Sequence, residues 1–396
     1  MKQGFTILMY SHDTYGLGHI RRTLAIAKAL TEKAVHILII TGSPLAGQFP
    51  LPGGVDFIRI PGMVKTENGD YLPSNGGISK ERVMKIRTQL ILATIKSLEP
   101  DLFIVDKEPL GLKKEVLPGL AWIQRHLPQT RTILGLRDVM DEASIVKAHW
   151  KEKNIFKYLA RLYSEIWVYG EQKIYNPIAE YEIPERIQKK IQFTGYIQRE
   201  LLPREEVPKA FGSPGPRPRV LVTTGGGKDG FPLLDASLKI MEQKEARPLL
   251  FDLVLVAGPF LEDQLFQPLI QRARMLGVPL YRFFDPLTGL MAASDLLVCM
   301  GGYNTLCEAL SSLTPTLVVP RETPRKEQFI RARALTEKGL LDFIPWGQLT
   351  PGLLEQKIGE VLANATQFKQ RMAAFKMTGL QKILERVDGF KGDPLP

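Results

Sequence analysis

Apolar runs of strand length recur along the whole chain, and this recurrence constrains the fold more than any other feature. Several of these runs are apolar at consecutive positions, as is typical of strands that helices cover on both faces. Helical patterns such as residues 19–30 lie between many of them. The alternation predicts an α/β protein with parallel sheets. The runs are 5–10, 35–41, 55–60, 101–106, 132–138, 165–170 and 191–196, then 219–226, 251–258, 279–284, 295–302, 315–320 and 341–346.

A proline-rich stretch divides this pattern into two halves. Residues 202–218 contain five Pro and two Gly and show no periodicity, as expected of a linker. We therefore predict two doubly wound, Rossmann-like domains with parallel sheets that face an interdomain cleft. The expected boundaries are a first domain over 1–200, a linker over 201–218, a second domain over 219–365, and a C-terminal helix and tail over 366–396.

Composition excludes several classes of protein. The 396 residues include only two cysteines, Cys299 and Cys307, and no run approaches 18 apolar residues. A disulfide framework and a membrane-spanning helix are therefore not expected, and the apolar start is too short for a signal peptide. We expect a cytoplasmic protein. The net charge of +10 favours an anionic partner, but no zinc-finger or RNA-binding pattern is present, so nucleic acid is not expected.

The loop after the first strand reads SHDTYGLGH and leads into a helix. Gly16 and Gly18 let the backbone approach a ligand closely, and the helix N-terminus favours negative charge. A dinucleotide-binding loop would need Gly at 21, where this chain has Arg21. His19 opens the helix, where the N-terminus favours the neutral form of a general base. A structural or capping role for His19 is the alternative.

Two aspartates end neighbouring strands of the first half. Asp106 ends IVD and Asp138 follows GLR. Because the carboxyl ends of parallel strands face the ligand crevice, either carboxylate is a candidate to assist His19 or to bind an acceptor hydroxyl. The alternative is an ordinary strand-end Asp that accepts hydrogen bonds from the local backbone.

Two glycine-rich loops follow strands in the second half. Gly225, Gly226, Gly227 and Lys228 follow the first strand, without the residues of a Walker A loop; the alternative is a tight turn without a ligand. Residues 300–308 read MGGYNTLCE, a helix start able to hold a diphosphate. Glu308, one turn further on, is a candidate for ribose hydroxyls, and the acid-amide pair Glu327–Gln328 for sugar hydroxyls. Capping residues and a solvated Glu are the alternative.

The order and spacing of these motifs resemble the donor domain of GT-B glycosyltransferases, of the family 28, MurG-like type. The resemblance is clearest over residues 219–340. It implies a nucleotide-sugar donor, UDP being the expected nucleotide and a hexose the expected sugar, with inversion at the anomeric carbon and no bound metal. No cofactor besides the nucleotide sugar is implied.

The resemblance also implies roles for individual residues. The diphosphate is expected at the loop that opens the helix after residue 302, and the ribose at Glu308. The transferred sugar is expected at Glu327 and Gln328, and the nucleotide base near Phe284. Gly16 and Gly18 would approach the diphosphate or acceptor, Lys228 would meet either, and His19 would be the catalytic base. The expected diphosphate residues are Gly301, Gly302, Asn304 and Thr305.

The first half departs from the MurG pattern. SHDTYGLGH replaces a Gly-Gly-Thr-Gly-Gly-His type of loop, and residues 135–138, Gly-Leu-Arg-Asp, stand where that type has His-Glu-Gln-Asn. The chain is therefore expected to be a separate branch, with the acceptor left open between a lipid-linked molecule and a glycan. Other functions also stay open: a nucleotide-sugar epimerase or hydrolase, a non-catalytic nucleotide-sugar binder and, least favoured, a nicotinamide-dependent oxidoreductase.

One segment raises the question of a membrane. Residues 142–163 carry Trp150 and several basic side chains in a helical pattern, which is typical of a helix that rests on an anionic membrane surface. The commoner explanation is a surface helix packed on its own domain. Peripheral contact with the inner face of the membrane is therefore one of two interpretations.

Overall fold

A computed structural model describes residues 4–12, 18–33, 35–44, 46–48, 51–66, 70–201, 215–243 and 250–392. The chain forms two compact units. Unit 1 comprises Met1–Ile197 and Thr378–Pro396, and unit 2 comprises Gln198–Met377. The loop residue Gly16 and most of the expected linker over 201–218 lie outside the described residues.

Unit 1 is built on a seven-stranded sheet in the order β3-β2-β1-β6-β7-β8-β9, with all neighbours parallel. A separate antiparallel pair, β4 and β5, precedes its second helix. The strands are β1 (Phe5–Ser11), β2 (Val35–Thr41), β3 (Val55–Arg59), β4 (Met63–Lys65), β5 (Tyr71–Pro73), β6 (Leu102–Asp106), β7 (Arg131–Arg137), β8 (Glu165–Tyr169) and β9 (Ile191–Phe193). The helices are α1 (Gly18–Thr31), α2 (Lys80–Leu98), α3 (Leu117–His126), α4 (Ala143–Glu152), α5 (Ile155–Leu162), α6 (Pro177–Glu180) and α7 (Glu185–Gln188).

Unit 2 repeats the plan with a six-stranded parallel sheet in the order β12-β11-β10-β13-β14-β15. Its strands are β10 (Arg219–Thr223), β11 (Asp252–Val256), β12 (Leu280–Tyr281), β13 (Leu296–Cys299), β14 (Thr316–Val318) and β15 (Asp342–Phe343). Its helices are α8 (Phe231–Glu242), α9 (Asp263–Met275), α10 (Leu287–Ala292), α11 (Tyr303–Ser312), α12 (Glu327–Glu337), α13 (Pro351–Ala363) and α14 (Ala365–Ala374).

All thirteen predicted strands are confirmed, and the predicted α/β class with two parallel sheets is confirmed with them. The central strands are buried along their whole length: β6 and β13 expose none of their residues. Burial of both faces explains the unbroken apolar runs, since a strand with one wet face would alternate. The register pairs Ile7 of β1 with Ile37 of β2 and with Leu102 of β6, so the three strands end close together.

The chain ends on unit 1 rather than on unit 2. Helix α15 (Gly379–Gly392) belongs to unit 1, whereas α14 belongs to unit 2, so the expected tail over 366–396 is shared between the units. In α15, Arg386 pairs with the buried carboxylate of Glu165, whose other donor is Trp167 Nε1 at 2.9 Å. The Phe390 ring stacks on Trp167, with centroids 6.5 Å apart. This contact set attaches the C-terminal helix to β8.

The candidate membrane helix is two helices. The chain breaks at Asn154, whose φ is 52°, between α4 and α5. Trp150 is buried in the core of unit 1, edge-on to Phe156 with ring centroids 5.4 Å apart. It therefore is not an interfacial anchor, because its ring packs inward. Within the described residues, no helix is both long and apolar enough to cross a membrane.

The Glu165–Arg386 pair gives a prediction for stability. Arg386→Ala leaves a buried carboxylate without its cation and should cost about 2–3 kcal/mol of unfolding free energy. Glu165→Gln keeps an acceptor for Trp167 and leaves an arginine that water can reach, so it should cost about 1 kcal/mol. Urea unfolding followed by tryptophan fluorescence measures both. Gln381→Ala, on the exposed face of α15, is the control; equal costs for the first two variants would contradict the argument.

Candidate active site

The candidate residues of each unit lie where its strand order reverses. In unit 1 the reversal falls between β1 and β6, and in unit 2 between β10 and β13. Ligands of open α/β sheets bind beyond the strand ends at such switch points. The first turn of α1 and the end of β6 meet there in unit 1, and the loops after β10 and β13 lie there in unit 2.

His19 and Asp106 are brought together in unit 1. His19 lies in the first turn of α1, and its Nδ1 contacts Oδ2 of Asp106 at the end of β6. An ionised carboxylate only accepts hydrogen bonds, so the network places the proton of neutral His19 on Nδ1 and the lone pair on Nε2. The side chain of His19 is 12 % exposed. This geometry leaves Nε2 of neutral His19 able to accept a proton while Asp106 orients the ring; the role of general base stays a prediction.

Charge and burial set the protonation of this pair. Burial lowers the pKa of His19 to about 4; the cations of Lys107 and Arg22 act in the same direction and Asp106 opposes them. Burial alone would raise the pKa of Asp106, but the Arg22 guanidinium and His19 hold that pKa well below its usual value. At neutral pH, His19 is therefore neutral and Asp106 is ionised.

Asp138, the other strand-end candidate, is engaged elsewhere. One of its oxygens accepts from the backbone N–H of Val139 at 2.7 Å, and the other accepts from the Tyr196 hydroxyl at 3.0 Å. Its side chain is buried, and Gly170 leaves room for it, since a Cβ there would lie 2.7 Å from that of Asp138. These contacts favour the alternative of a strand-end Asp that satisfies local donors. A catalytic role for Asp138 stays a prediction.

The loop after β10 is closely packed against the loop after β11. Gly227 has a φ of +93°, and a Cβ there would lie 2.4 Å from the carbonyl oxygen of Ala257. The Gly226 carbonyl accepts from the N–H of Phe260 at 2.9 Å. Gly225, with a φ of +67°, is exposed and faces the first turn of α11. A Cβ at Gly225 would lie 3.9 Å from Thr305 Oγ1. Lys228 is exposed beside them.

Helix α11 presents its N-terminus at the end of β13. Gly301 has a φ of +77°, and a Cβ there would lie 2.8 Å from Val318. Gly302 is the N-cap and supplies no side chain. The N–H groups of the first turn and the positive end of the helix dipole therefore face a site that suits an anion.

An arginine that the sequence motifs did not indicate lies at this helix start. Arg199 donates from Nη2 to Oδ1 of Asn304 at 2.6 Å, and its backbone N–H donates to Ser311 Oγ at 2.8 Å. Asn304 therefore accepts from the guanidinium of Arg199, and its role in holding a diphosphate stays a prediction. Arg199 lies 105 residues earlier in the chain, just before the proline-rich stretch. A lone arginine there carries no spacing signal.

The acidic candidates of unit 2 are buried. Glu308, on α11, and Glu327, at the start of α12, expose 1 % and 5 % of their surface. Glu327 lies 3.5 Å from the guanidinium of Arg321, and the backbone N–H of Arg321 donates to Gln328 Oε1 at 3.1 Å. These contacts fix the chain between β14 and α12. Roles in binding ribose or sugar remain predictions for all three candidates.

Phe284, the last of the sequence candidates, also lies at a strand end. It follows β12, the edge strand, and its ring meets Tyr281 edge-on with centroids 5.2 Å apart.

Arg331, on α12, stabilises the loop after β13. It is buried and donates to the Gly301 carbonyl at 3.1 Å. Within the described part of the chain, no three His, Cys, Asp or Glu side chains lie together as metal ligands would.

Comparison with known proteins finds a family match within the second half. Residues 220–387 match the family model described as the glycosyltransferase family 28 C-terminal domain. The second half is therefore similar to a family 28 C-terminal domain over these residues. The match begins within β10 and includes the loops after β10 and β13 and the helix start at α12, so it spans the candidate residues of unit 2.

Individual relatives agree with this similarity. The chain is 26% identical over 202 residues to the UDP-N-acetylglucosamine–N-acetylmuramyl-(pentapeptide) pyrophosphoryl-undecaprenol N-acetylglucosamine transferase of Acetivibrio thermocellus, which covers 50% of this chain and 54% of that protein. It is 29% identical over 196 residues to an uncharacterized glycosyltransferase of Methanopyrus kandleri, covering 48% and 51%. The chain thus spans about half the length of the curated relatives it matches.

A solved structure extends the likeness to the whole fold. The crystal structure of Acinetobacter baumannii MurG superposes with a TM-score of 0.59 and 13% identity, covering 98% of this chain and all of that one. The fold is therefore GT-B, as predicted, and its second half carries the match to the family 28 model.

The glycine loop after β10 gives a prediction for the stability of unit 2. Gly227→Ala introduces a Cβ into backbone at a φ that L-residues avoid, so it should destabilise unit 2 by at least about 2 kcal/mol. Gly359→Ala is the matched control, because Gly359 lies inside α13 with nothing within 4 Å of its Cβ position. It should stabilise by roughly 0.5–1 kcal/mol. Calorimetric unfolding measures both; a neutral Gly227→Ala would contradict the packing argument.

Proposed function

We propose that this chain is a glycosyltransferase that moves a hexose-type sugar from a nucleoside diphosphate sugar to a hydroxyl acceptor. The observation that carries the proposal is the N-terminus of α11, which lies within the residues that match the family 28 model. A glycine N-cap, free of a capping side chain, lies beside the guanidinium of Arg199. A diphosphate is the ligand that such a helix start and cation suit.

In this proposal unit 2 binds the donor and stabilises the leaving group. The diphosphate accepts hydrogen bonds from the first N–H groups of α11, and Arg199 turns from Asn304 or shares its guanidinium with the phosphate. Negative charge grows on the diphosphate as the glycosidic bond breaks, so donors already in place lower the barrier. UDP is the proposed nucleotide. The chemistry asks for no bound metal.

Unit 1 supplies the base in this proposal. His19 Nε2 accepts the proton of the acceptor hydroxyl as its oxygen attacks the anomeric carbon, and Asp106 stabilises the imidazolium that forms. The new bond is C–O to the acceptor, and the bond that breaks is C–O to the diphosphate. Attack opposite the leaving group inverts the anomeric carbon.

The acceptor is proposed by class only. The peptidoglycan transferase among the relatives acts, by its name, on a pyrophosphoryl-undecaprenol acceptor, and this supports a lipid-linked acceptor for this chain. A glycan is the second candidate, since residues 135–138 depart from the MurG pattern. Peripheral contact with an anionic membrane goes with the lipid-linked acceptor, by surfaces other than Trp150.

A binding screen tests the donor site. Nucleoside diphosphates and their sugars should raise the Tm of the wild type; a ligand at 100-fold its Kd adds about 2.7 kcal/mol. Arg199→Met should remove most of this shift, because it removes the cation beside α11. Arg333→Met, an exposed arginine on α12, is the control and should keep it. Absence of a shift with every nucleotide would contradict the donor site.

A labelled donor then tests transfer. With a ¹⁴C-labelled UDP-sugar and either membrane lipid extract or glycan fractions, label should enter one acceptor class. His19→Gln should slow transfer by roughly 10²- to 10⁴-fold, the usual worth of a general base. The acid limb of the wild-type pH profile should lie below pH 6.5, because burial lowers the pKa of His19 to about 4. His126→Gln, on an exposed histidine, is the control.

The same assay separates the alternatives. A hydrolase or epimerase would convert the donor at full rate without any acceptor, whereas a transferase would do so only slowly. A non-catalytic binder would give the nucleotide shift and no product with any acceptor. Either result would replace the proposed activity while leaving the donor site in place.

A further inference from the structure

Arg22 is a buried arginine in the first half of α1. It lies three residues after His19, one helical turn further on, and exposes 1 % of its surface. Arginine is rarely buried without a paired anion, because its charge loses the solvation of water. The residues around it should therefore show what the buried charge does.

The guanidinium of Arg22 donates two hydrogen bonds to the carboxylate of Asp106, which also contacts His19. Its Nε and Nη2 donate to Oδ1 of Asp106 at 3.1 and 2.5 Å, while His19 contacts the other oxygen, Oδ2. Residues three apart on a helix face the same side, so α1 approaches one carboxylate with two side chains. The result is one oxygen for each partner.

The packing beneath Arg22 holds this arrangement in place. The guanidinium carbon lies 5.5 Å from the centre of the Tyr169 ring, and both side chains are buried. A Cβ at position 135 would lie 2.1 Å from the Tyr169 hydroxyl, so Gly135 makes the room that this ring occupies. Burial raises the pKa of Tyr169, so the ring stays neutral and leaves the charge of Arg22 to act on Asp106 and His19.

We propose that Arg22 is a positioning residue for His19. Arg22 occupies Oδ1 of Asp106 and keeps that carboxylate ionised. Oδ2 is therefore left to accept the Nδ1–H of His19, and Nε2 of His19 keeps its lone pair. Arg22 also holds a positive charge near the imidazole, with Nη2 3.2 Å from His19 Nδ1. This role rests on the proposed function only in naming His19 as the base. The tautomer and the charge state follow from the contacts in unit 1.

The charges that face His19 give the sign of the effect. Asp106 and Lys107 face it from the end of β6, Arg22 from its own helix, and His12 from the end of β1 with ring centroids 5.9 Å apart. Burial also lowers the pKa of His12, to about 3, so His12 is neutral. Arg22 and Lys107 disfavour the imidazolium and Asp106 favours it. Removal of Arg22 therefore strengthens the hold of Asp106 on a proton at His19.

The direct test is a titration of the histidine side chains by ¹⁵N NMR, which needs neither donor nor acceptor. The chain has five histidines, and His19→Gln assigns the resonance of His19. In the wild type, His19 should stay neutral, with its proton on Nδ1, at pH 6. In Arg22→Met the midpoint should rise by about one pH unit or more, since a neighbouring charge is lost.

Two further variants separate charge from shape. Arg22→Lys keeps the charge but loses the two-pronged contact, so the midpoint should stay within a few tenths of a unit of the wild type while the tautomer becomes mixed. Arg21→Met removes an adjacent, partly exposed charge and should change neither. An unchanged midpoint in folded Arg22→Met, or an Nε2–H tautomer in the wild type, would overturn the proposal. If Arg22→Met does not fold, a pure Nδ1–H tautomer in Arg22→Lys overturns it.

The pH profile of transfer adds a second readout. Arg22→Met should move the acid limb upward in step with the NMR midpoint, whereas a merely structural defect would lower the rate at every pH without moving the limb. If no variant, including the wild type, transfers sugar, the proposed function fails. The NMR titration still decides the role of Arg22 in that case.

Discussion

Burial of both faces of the two parallel sheets determines where this protein can carry polar chemistry. A charged side chain in the middle of β6 or β13 would face a helix-covered core and lose its solvation. Strand ends are free of this limit, because loops and helix termini supply hydrogen-bond partners there. Asp106 and the Gly301–Gly302 loop occupy such positions, each at the point where its sheet reverses strand order.

The two switch points carry opposite electrostatics. In unit 1, a carboxylate is held ionised by a buried guanidinium and orients a neutral imidazole, so the arrangement can take up a proton. In unit 2, a helix N-terminus and Arg199 offer donors and positive charge, so the arrangement can take up an anion. Proton removal and stabilisation of an anionic leaving group are the two needs of the proposed transfer reaction.

Sequence alone predicted the strands well and the side-chain partners poorly. The thirteen strands were predictable because apolar runs are a local signal. Asp106 and Asp138 were equal candidates, because both end a strand; the difference is Tyr196, 58 residues away in sequence, whose hydroxyl binds Asp138. The partners of Asn304 and Asp106 lie 105 and 84 residues away. Trp150 looked like an interfacial residue because its pattern did not show the turn at Asn154.

The two halves of the chain differ in how tightly their proposed ligands, a diphosphate and an acceptor hydroxyl, constrain the local sequence. A diphosphate imposes one local solution, a glycine-rich turn at a helix N-terminus with a cation beside it, and residues 220–387 match a family model over that region. An acceptor hydroxyl constrains the sequence less, because any neutral general base within hydrogen-bond distance can remove its proton. In the proposed reaction, unit 1 meets that need with the buried Arg22–Asp106–His19 arrangement, in which α1 carries both the proposed base and the cation that keeps Asp106 ionised. Helix α1, which follows the loop that replaces the MurG-type glycine motif, therefore carries both His19 and the cation that sets the charge of its carboxylate partner.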